Sequence, residues 1–347
     1  MIDRSNRLSF ASDYLEGAHP AVLRRLQETN LLQTAGYGLD EFSEAAREKI
    51  RAACHAPEAD VFFLAGGTQT NAVMIKAMLR PWQGVMAAET GHISCHEAGA
   101  IEADGHKVFT LPQENGKLSA DAVKACIDAY RQDENRDHMV APGLVYLSFP
   151  TEYGTLYSRS ELEAISAVCR ASGIPLYLDG ARLAYALACP ENDVTLPDIA
   201  RLCDAFYIGG TKCGALFGEA AVIPRHDAVP HLFTLIKQHG ALLAKGRITG
   251  VQFDTLFTDG LYDEIGRTAV SAADRIRAAL TAKGVTLCFG SPTNQIFLLL
   301  TRAEAARLQE KVALSFWENP DENHTILRLA TSWATTEEQV TRLLEIL

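Results

Sequence analysis

The segments IPLYLDGARLAYAL (174–187) and AFYIGGTKCGA (205–215) decide the fold. Each begins with a short apolar run that leaves no polar face, and each run ends in a polar turn that contains glycine. Strands that are apolar on both faces are typical of parallel sheets, where helices cover both sides. The two segments therefore predict neighbouring strands of an α/β sheet, joined through a helix.

The same rhythm of strand, turn and helix extends over residues 60–225. Short apolar runs predict further strands at VFFLA (61–65), VMAAE (85–89), KVFTL (107–111), LVYLSF (144–149) and AAVIP (220–224). Helical patterns lie between them, at TQTNAVMIKAMLR (68–80), SADAVKACIDAYRQ (119–132) and SRSELEAISAVCRASG (158–173). In the last of these, Ser158 and Glu161 are suited to cap the helix and Gly173 to end it. The alternation predicts a doubly wound, mostly parallel sheet.

The pattern changes after residue 225. We predict helices over 226–245, 261–283 and 304–312, a final helix from Thr335, and strands at IFLLLT (296–301) and ILRLAT (326–331). Such a mixture is typical of a smaller α+β domain. We therefore predict a large domain over 1–250, which includes the N-terminal segment 1–20, and a small domain over 251–347.

Composition excludes several classes of partner. The 347 residues include 32 lysines and arginines against 43 aspartates and glutamates, which gives a net charge of −11. Binding to nucleic acids or to anionic membrane surfaces needs clustered cations, so neither partner is expected. No apolar stretch approaches a membrane span, and MIDRSNRLSFASD (1–13) lacks the apolar core of a signal peptide. We expect a cytoplasmic protein whose eight scattered cysteines are free thiols.

Polar residues follow several predicted strands, at the sheet edge where ligands of doubly wound proteins collect. Gly66-Gly67-Thr68 offers backbone amides, a hydroxyl and a helix N-terminus, which together suit a phosphate monoester. A simple tight turn explains the same three residues. Neither a complete dinucleotide fingerprint nor a P-loop is present, which disfavours a nicotinamide dehydrogenase.

Asp179 and Lys212 end neighbouring elements, at a separation that fits one strand-helix-strand unit. A lysine whose pKa is lowered by burial is a nucleophile toward an aldehyde, and an adjacent carboxylate can keep a pyridine nitrogen protonated. An ion pair that lines a cleft is the simpler explanation of this spacing. His92, His96 and Glu97 match no helical zinc motif, so we predict no metal site.

Several segments together resemble the threonine aldolase family of the β-eliminating lyases, within the fold-type I pyridoxal-phosphate enzymes. The most specific are LDGARLAYAL (178–187) and GGTKCGALFGEAAV (209–222). The others are SDYLEGAHP (12–20), YGLDEFS (37–43), GGTQTNAV (66–73), GHISCHEAGA (91–100), PTEYGTLYS (150–158) and LRLATSWATTEEQV (327–340). They span nearly the whole chain, and the branch most resembled contains the low-specificity L-threonine and phenylserine aldolases.

The resemblance implies that pyridoxal 5'-phosphate is the cofactor. It implies that Lys212 forms the Schiff base with it, that Asp179 pairs with the pyridine nitrogen and that His92 stacks on the ring. The residues implied to hold the phosphate are Gly67, Thr68 and Thr211. The last of these is serine in many family members.

The resemblance also implies how substrate and subunits are arranged. Ser12, Arg182 and Arg328 are implied to hold the substrate α-carboxylate, to which the arginine fork is suited. Family members are homodimers or homotetramers whose sites lie at subunit interfaces. Tyr37 and Arg247 are therefore implied to reach the cofactor of a neighbouring subunit.

The segment Pro150-Thr151-Glu152 departs from the family pattern. The better-known threonine aldolases carry Asn-Thr-His there, and that histidine is thought to handle the substrate hydroxyl. The base for the β-hydroxyl proton is therefore open here, and the candidates are His92 and Glu152, acting directly or through water.

From these residues we predict a carbon-carbon lyase that cleaves L-3-hydroxy-α-amino acids to glycine and an aldehyde. The substrate is L-threonine, L-allo-threonine or a β-aryl analogue. The alternatives are a β-eliminating lyase or an aminotransferase on the same scaffold, because fold and cofactor do not fix which bond at Cα breaks. A non-catalytic homologue that binds the cofactor or an amino acid is a further alternative, which the retained lysine, aspartate and arginines disfavour.

Overall fold

The computed structural model describes residues 7–347, and strands alternate with helices over most of this range. The strands are β1 (Leu8–Ser9), β2 (Asp60–Leu64), β3 (Gln83–Ala88), β4 (Val108–Leu111), β5 (Ala141–Ser148), β6 (Leu176–Gly180), β7 (Ala205–Gly209), β8 (Glu219–Ile223), β9 (Leu287–Cys288), β10 (Gln295–Thr301), β11 (Val312–Ala313), β12 (Ser315–Glu318) and β13 (His324–Ala330). The α-helices are α1 (Pro20–Thr29), α2 (Glu41–Ala53), α3 (Gly67–Met78), α4 (His92–Cys95), α5 (Ala100–Ala103), α6 (Ala120–Gln132), α7 (Arg159–Ser172), α8 (Leu183–Leu187), α9 (Leu196–Leu202), α10 (Leu232–Gln238), α11 (Arg247–Leu256), α12 (Leu261–Ala282), α13 (Arg302–Lys311) and α14 (Glu337–Ile346). All strands predicted between residues 60 and 225 are confirmed.

One seven-stranded sheet holds β2 to β8, in the order β2-β8-β7-β6-β5-β3-β4. β8 runs antiparallel to β2 and to β7. The pairings from β7 through β6, β5 and β3 to β4 are all parallel. The carboxyl ends of these parallel strands therefore meet at one edge, as the predicted mostly parallel sheet requires.

Both faces of this sheet are buried, which explains the absence of polar alternation along its strands. Val145 and Leu147 pack into one core, whereas Leu144 and Tyr146 pack into the other. Helix α7 buries its apolar side in the first core and α3 in the second. The sheet is thus the middle layer of three.

The helix caps of α7 are confirmed as predicted. Ser158 accepts a hydrogen bond from the Glu161 amide, and the Glu161 side chain accepts one from the Ser158 amide. Gly173 ends the helix at a φ of 66°, in the left-handed region that glycine adopts without strain.

A second sheet, with the antiparallel order β12-β13-β10-β9, lies in the C-terminal third of the chain. It packs with α12 and α14 around a separate core that also contains Leu8 and Phe10. Strand β1 pairs in parallel with β11 through Leu8 and Val312, so residues near the N-terminus pack against this C-terminal region. Residue 250 lies inside α11, and the division of the chain there stays a prediction.

The helix predicted over 226–245 is wrong. Helix α10 covers only Leu232–Gln238, and α11 begins at Arg247. Asp227, His231 and Gly240 adopt φ values of 57°, 60° and 65°. This left-handed backbone interrupts a right-handed helix on both sides of α10.

The helix predicted over 261–283 is confirmed as α12, which has 22 residues. It packs against α8 of the larger region and α14 of the smaller one. One side of α12 carries charged residues, such as Asp263 and Glu264. No helix among residues 7–347 is both long and apolar enough to cross a bilayer.

Candidate active site

The carboxyl edge of the seven-stranded sheet collects the predicted site residues. Asp179 lies at the end of β6, Lys212 just beyond β7 and Glu152 just beyond β5. His92 begins α4 after β3, and Gly67 begins α3 after β2. These residues meet because the ends of parallel strands share one edge of the sheet.

Two adjoining cavities open at this edge. The inner cavity has a volume of about 310 Å³. Four of the predicted site residues line this cavity and not the outer one, namely Gly67, Thr68, Asp179 and Thr211. The outer cavity has a volume of about 490 Å³, and its own residues include Cys95, His96, Tyr153, Trp317 and Arg328. Both cavities are lined by Tyr14, His92, Glu152, Arg182 and Lys212. A larger cavity of about 660 Å³ lies beside α9 and contains none of the predicted residues.

Lys212 stands where the two cavities meet. Burial lowers the pKa of its amine, and the charge of Arg182 lowers that pKa further. Its Nζ lies 6.0 Å from the centre of the Tyr14 ring, and no carboxylate oxygen among residues 7–347 comes within 4.0 Å of it. Lys212 therefore forms no ion pair with Asp179. Its lowered pKa favours the neutral, nucleophilic form of the amine.

The Asp179 carboxylate is buried and fully hydrogen-bonded. Its Oδ2 accepts bonds from the Tyr146 hydroxyl at 2.7 Å and the Asn71 amide at 2.9 Å, and its Oδ1 accepts one from a backbone amide at 2.9 Å. Burial opposes ionisation, but the charge that His92 carries when its ring is protonated and the hydrogen bonds from Asn71 and Tyr146 lower the pKa of Asp179. The group thus presents a fixed negative charge to the inner cavity.

The imidazole of His92 is held by a buried carboxylate. Its Nδ1 lies 2.7 Å from Oε1 of Glu97, whose side chain has an exposed fraction of 0%. The Asn71 amide donates to the same oxygen at 2.8 Å. A carboxylate acceptor at Nδ1 favours the tautomer with its proton there, which leaves Nε2 as the acceptor. Glu97, which sequence analysis weighed only as a metal ligand, instead orients His92.

Glu152 faces both cavities with a carboxyl that is almost entirely buried. Its Oε1 accepts hydrogen bonds from the His92 backbone amide at 2.8 Å and the Ser148 hydroxyl at 2.5 Å. Burial raises the pKa of this carboxyl. A carboxyl with a raised pKa exchanges a proton closer to neutral pH than an exposed one.

The start of α3 forms part of the lining of the inner cavity. No side chain caps this helix, so its first amides remain available to a ligand at the positive helix end. A Cβ at Gly67 would lie 3.1 Å from the Tyr207 hydroxyl, which favours glycine there. Thr68 and Thr211 line the same cavity, and the Thr211 hydroxyl accepts a bond from a backbone amide at 3.0 Å. This donor set fits a phosphate group.

Arg182 is held by a residue that sequence analysis did not consider. Asp13 receives hydrogen bonds from its Nε at 2.6 Å and its Nη2 at 3.0 Å, and the Asp13 side chain has an exposed fraction of 0%. Asn294 donates to the same carboxylate at 2.9 Å. Burial opposes the ionised form, but Arg182 and Lys212 lower the pKa of Asp13. One edge of the Arg182 fork is therefore already used, and Nη1 remains for a ligand.

Like Arg182, Arg328 uses two of its five N–H donors in hydrogen bonds within residues 7–347. Its Nη1 donates to Gln295 at 3.1 Å and its Nη2 to the Ala11 carbonyl at 3.3 Å, while its buried Nε has no partner among these residues. The guanidinium lies 5.6 Å from the centre of the Trp317 ring. The Ser12 hydroxyl is also buried and has no partner in the described part of the chain, although Ser12 lines neither cavity.

Tyr37 and Arg247 do not reach the inner or the outer cavity of their own chain. Tyr37 is half exposed and lines a separate cavity of about 260 Å³. Arg247 donates to the carbonyl of Leu32 at 2.7 Å and to that of Thr29 at 2.5 Å. Their predicted contact with a neighbouring subunit's cofactor stays a prediction.

Sequence analysis missed several residues that complete the site, namely Asp13, Asn71, Tyr146, Tyr207 and Glu219. Asp13 follows the predicted Ser12, and this adjacency was a usable signal. Glu219 begins β8 and lines the inner cavity, and burial raises its pKa to about 7. The tyrosines carried no signal, because an aromatic residue in a buried strand is normally part of the core.

Comparison with known proteins adds three likenesses. The chain matches the family model described as beta-eliminating lyase over residues 9–315. A low specificity L-threonine aldolase from Pseudomonas aeruginosa is 30% identical over 341 residues, which are 96% of this chain and 95% of that protein. The structure of a threonine aldolase from Leishmania major has a TM-score of 0.94 and 46% identity, with 98% of each chain covered.

A more distant structure agrees with the fold. A double mutant of the aspartate aminotransferase from Thermus thermophilus has a TM-score of 0.73 at 17% identity, with 98% of this chain and 91% of that chain covered. The predicted architecture, that of the fold-type I pyridoxal-phosphate enzymes, is confirmed.

Proposed function

The chain belongs to the beta-eliminating lyase family, among its threonine aldolases, and on that premise we propose that it cleaves L-3-hydroxy-α-amino acids to glycine and an aldehyde. The substrates are L-threonine, L-allo-threonine or a β-aryl analogue, and the cofactor is pyridoxal 5'-phosphate. The observation that carries the proposal is the inner cavity itself. It is lined by an amine of lowered pKa, an ionised carboxylate and an uncapped helix N-terminus.

These three groups fit three parts of the cofactor. The Lys212 amine suits the aldehyde, the Asp179 carboxylate suits a protonated pyridine nitrogen, and the α3 N-terminus with Thr68 suits the phosphate. When bound, the cofactor supplies a sink for the electron pair that remains on Cα after the Cα–Cβ bond breaks. The residues around it do the remaining work.

Lys212 is suited to bond covalently to the aldehyde carbon, because its lowered pKa keeps a fraction of the amine neutral. Asp179 holds a proton on the ring nitrogen, since its three hydrogen bonds keep the carboxylate ionised. His92 lies between Glu97 and the inner cavity, so its ring is fixed where it can stack on a flat ligand.

Arg328 anchors the substrate α-carboxylate, because it lines the outer cavity and its bonds to Gln295 and Ala11 leave one N–H of Nη1 and one of Nη2 without a partner among residues 7–347. Arg182 adds one donor, Nη1, and Asp13 keeps its guanidinium in position. Two guanidinium groups on one carboxylate orient the substrate relative to Lys212, which decides which Cα bond lies ready to break.

The proton of the substrate β-hydroxyl needs an acceptor near the meeting point of the cavities. Glu152 and His92 both line the inner and outer cavities. Glu152 offers a carboxyl of raised pKa, and His92 offers Nε2. We propose that one of these two groups takes the proton, directly or through water.

We also propose that the protein is cytoplasmic and a homodimer or homotetramer. Leu31 and Leu39 expose 91% and 67% of their surface, in the same stretch of sequence as the half-exposed Tyr37. Exposed apolar side chains of this size are typical of subunit contacts where they form one patch. Light scattering coupled to gel filtration gives the subunit number, and a monomer would contradict this part of the proposal.

Product analysis tests the reaction. The purified protein, supplied with pyridoxal phosphate, is incubated separately with L-threonine, L-allo-threonine and phenylserine. We expect glycine and the corresponding aldehyde in equal amounts. A 2-oxo acid with ammonia indicates β-elimination, an amino-group transfer indicates an aminotransferase, and no turnover with a retained chromophore indicates a binding protein.

A further inference from the structure

Two chains of hydrogen bonds lead from Asp179 to the candidate bases. The first runs from Asp179 through the Asn71 amide, at 2.9 and 2.8 Å, to Glu97 and from there to His92. The second runs from Asp179 through hydroxyl groups only. Tyr146 donates to Asp179 at 2.7 Å, and Ser148 lies 3.0 Å from Tyr146 and 2.5 Å from Glu152.

The two chains differ in what they can transmit. The Asn71 Nδ2 is a donor at both of its carboxylate contacts, so its polarity is fixed whatever the protonation of its neighbours. A hydroxyl group has one proton and two acceptor positions, so its polarity can reverse. Only the chain through Ser148 and Tyr146 can therefore respond to a change of protonation at one end.

The single hydroxyl proton of Ser148 determines how this chain of hydrogen bonds responds to the protonation of Glu152. Ser148 contacts two oxygens, on Tyr146 and on Glu152, but has a single proton to donate. When Glu152 is ionised, that proton points to Glu152, and the Tyr146 oxygen receives none. When Glu152 is protonated, it donates to Ser148, Ser148 donates to Tyr146, and Tyr146 donates to Asp179. The two settings differ by one proton, which resides on Glu152.

We propose that Ser148 and Tyr146 are positioning residues that transmit the protonation state of Glu152 to Asp179. Hydrogen bonds in a continuous chain polarise one another, so the bond from Tyr146 to Asp179 is stronger when Glu152 is protonated. A stronger bond stabilises the ionised form of Asp179. The proposal rests on the proposed function, because Asp179 then faces the pyridine nitrogen of the cofactor.

The consequence concerns the order of events in the reaction. Of the two candidate bases, Glu152 is the one that this inference requires, and it would gain a proton from the substrate β-hydroxyl. The hydrogen-bond chain would then direct its hydroxyl protons toward Asp179 and help that carboxylate to stay ionised, which is the state in which it would hold a protonated pyridine nitrogen. Proton removal at one end of the substrate is thereby coupled to charge stabilisation at the other.

Other ionisable groups surround the chain and must be separated from it. Those near Glu152 are His92, Cys95, Tyr153, Tyr157, Arg182 and Lys212. Those near Asp179 are His92, Glu97, Tyr177, Tyr207, Lys212 and Glu219. A pH-dependent signal at Asp179 therefore supports the proposal only if the Glu152→Gln substitution removes it. A signal that remains in Glu152→Gln comes from the other groups.

The test uses holoenzyme prepared with pyridoxal phosphate that is labelled with ¹⁵N in the ring. The pyridine nitrogen resonance is followed by solid-state NMR from about pH 5 to about pH 9. We expect a step centred above the ordinary glutamate pKa of about 4.3, since burial raises the pKa of Glu152. Glu152→Gln should abolish this step. Ser148→Ala and Tyr146→Phe should abolish it as well, although both leave Glu152 in place.

Tyr177→Phe is the matched control. Tyr177 is a buried neighbour of Tyr146, at 6.1 Å between ring centres, and donates a hydrogen bond at 3.0 Å to Asn71 on the fixed chain. This variant also removes one hydroxyl near Asp179, but it should retain the step. Ser148→Ala, the smaller change, decides the matter if Tyr146→Phe does not fold.

Three results overturn the proposal, namely a resonance without a step that depends on Glu152, a step that survives in Ser148→Ala, and a step that is also lost in Tyr177→Phe. Glycine formation accompanied by any of them leaves the proposed function intact. Failure of the protein to bind the labelled cofactor at all contradicts the proposed function instead.

Discussion

The inner and outer cavities share a boundary but are built in different ways. The inner cavity is made almost entirely from the ends of adjacent strands in one sheet, each with a turn that is visible in the sequence. The outer cavity adds β12 and Arg328 from the second sheet, and the site draws on Asp13 from the N-terminal region. Sheet topology alone places the inner residues, whereas the outer ones depend on how distant parts of the chain pack.

This difference separates two kinds of function. The inner cavity contains the groups that suit the cofactor, and the outer cavity contains those that suit a substrate carboxylate and side chain. Substitutions in the inner cavity should therefore alter the cofactor's chemistry. Substitutions in the outer cavity should alter substrate binding and leave the cofactor in place.

The largest effect should follow from Lys212→Ala. We expect kcat to fall by about 10³-fold or more, because the covalent attachment of the cofactor is lost. In the unaltered protein, borohydride reduction should attach the chromophore to Lys212, as peptide mapping can show. Attachment at another lysine would contradict the assignment of the inner cavity.

A somewhat smaller loss is expected for Asp179→Asn. The neutral amide cannot stabilise a protonated pyridine nitrogen, so kcat should fall by about 10²–10³-fold. Cofactor should still bind, because the helix N-terminus and Lys212 remain. Absorbance of the dialysed protein measures retention, and turnover close to the unaltered rate would mean that the carboxylate only supports the structure.

Arg328→Ala tests the outer cavity. Loss of one charge-assisted hydrogen bond, of about 1.5–3 kcal/mol, should lower kcat/KM by about 10- to 100-fold and spare the affinity for the cofactor. Arg302→Ala is the control, since Arg302 is exposed and its side chain, within residues 7–347, donates only to the carbonyl of Glu322 in the same region. A weaker cofactor affinity in Arg328→Ala would show that the two cavities are not functionally separate.

The lowered pKa of Lys212 predicts a pH dependence for reconstitution. The amine is neutral above its pKa, so the rate at which the apoenzyme takes up pyridoxal phosphate should rise with pH and then level off. Because burial and Arg182 lower that pKa, levelling should occur below the ordinary lysine value of about 10.4. Stopped-flow absorbance measures the rate, and a rise that continues past that value argues against a lowered pKa.

Ser158→Ala should have the smallest effect and none on either cavity. Removal of this N-cap should lower the free energy of unfolding by about 1 kcal/mol, because the Glu161 amide loses its side-chain partner. Kinetic constants should be unchanged. Denaturant unfolding and steady-state kinetics on the same preparation check both expectations, and an altered KM would show that α7 influences the site.

The sequence predicts the inner cavity well, because buried strands and polar turns are local patterns. It does not predict the pair of Asp13 and Arg182, since the two residues lie on segments that only tertiary packing joins. It also gives no sign that Asn71 connects Glu97 with Asp179, because an asparagine on a helix looks the same whether it faces solvent or a buried network. The helix predicted over 226–245 is wrong for a related reason. The helical spacing of apolar residues around Leu232 extends over positions where the backbone leaves the right-handed helical conformation.

The pairing of residues near the N-terminus with the C-terminal region has a consequence for biosynthesis. Asp13 and its partner Asn294 are 281 residues apart, and Ala11 and Arg328 are 317 apart. Residues 8–13 leave the ribosome long before the strands that receive them are made, at a synthesis rate of about 5–20 residues per second. The seven-stranded sheet can form while this early segment is still without its partners. The proposed binding site for the substrate carboxylate is therefore assembled last, and a nascent chain has the proposed place for the cofactor before it has the one for an amino acid.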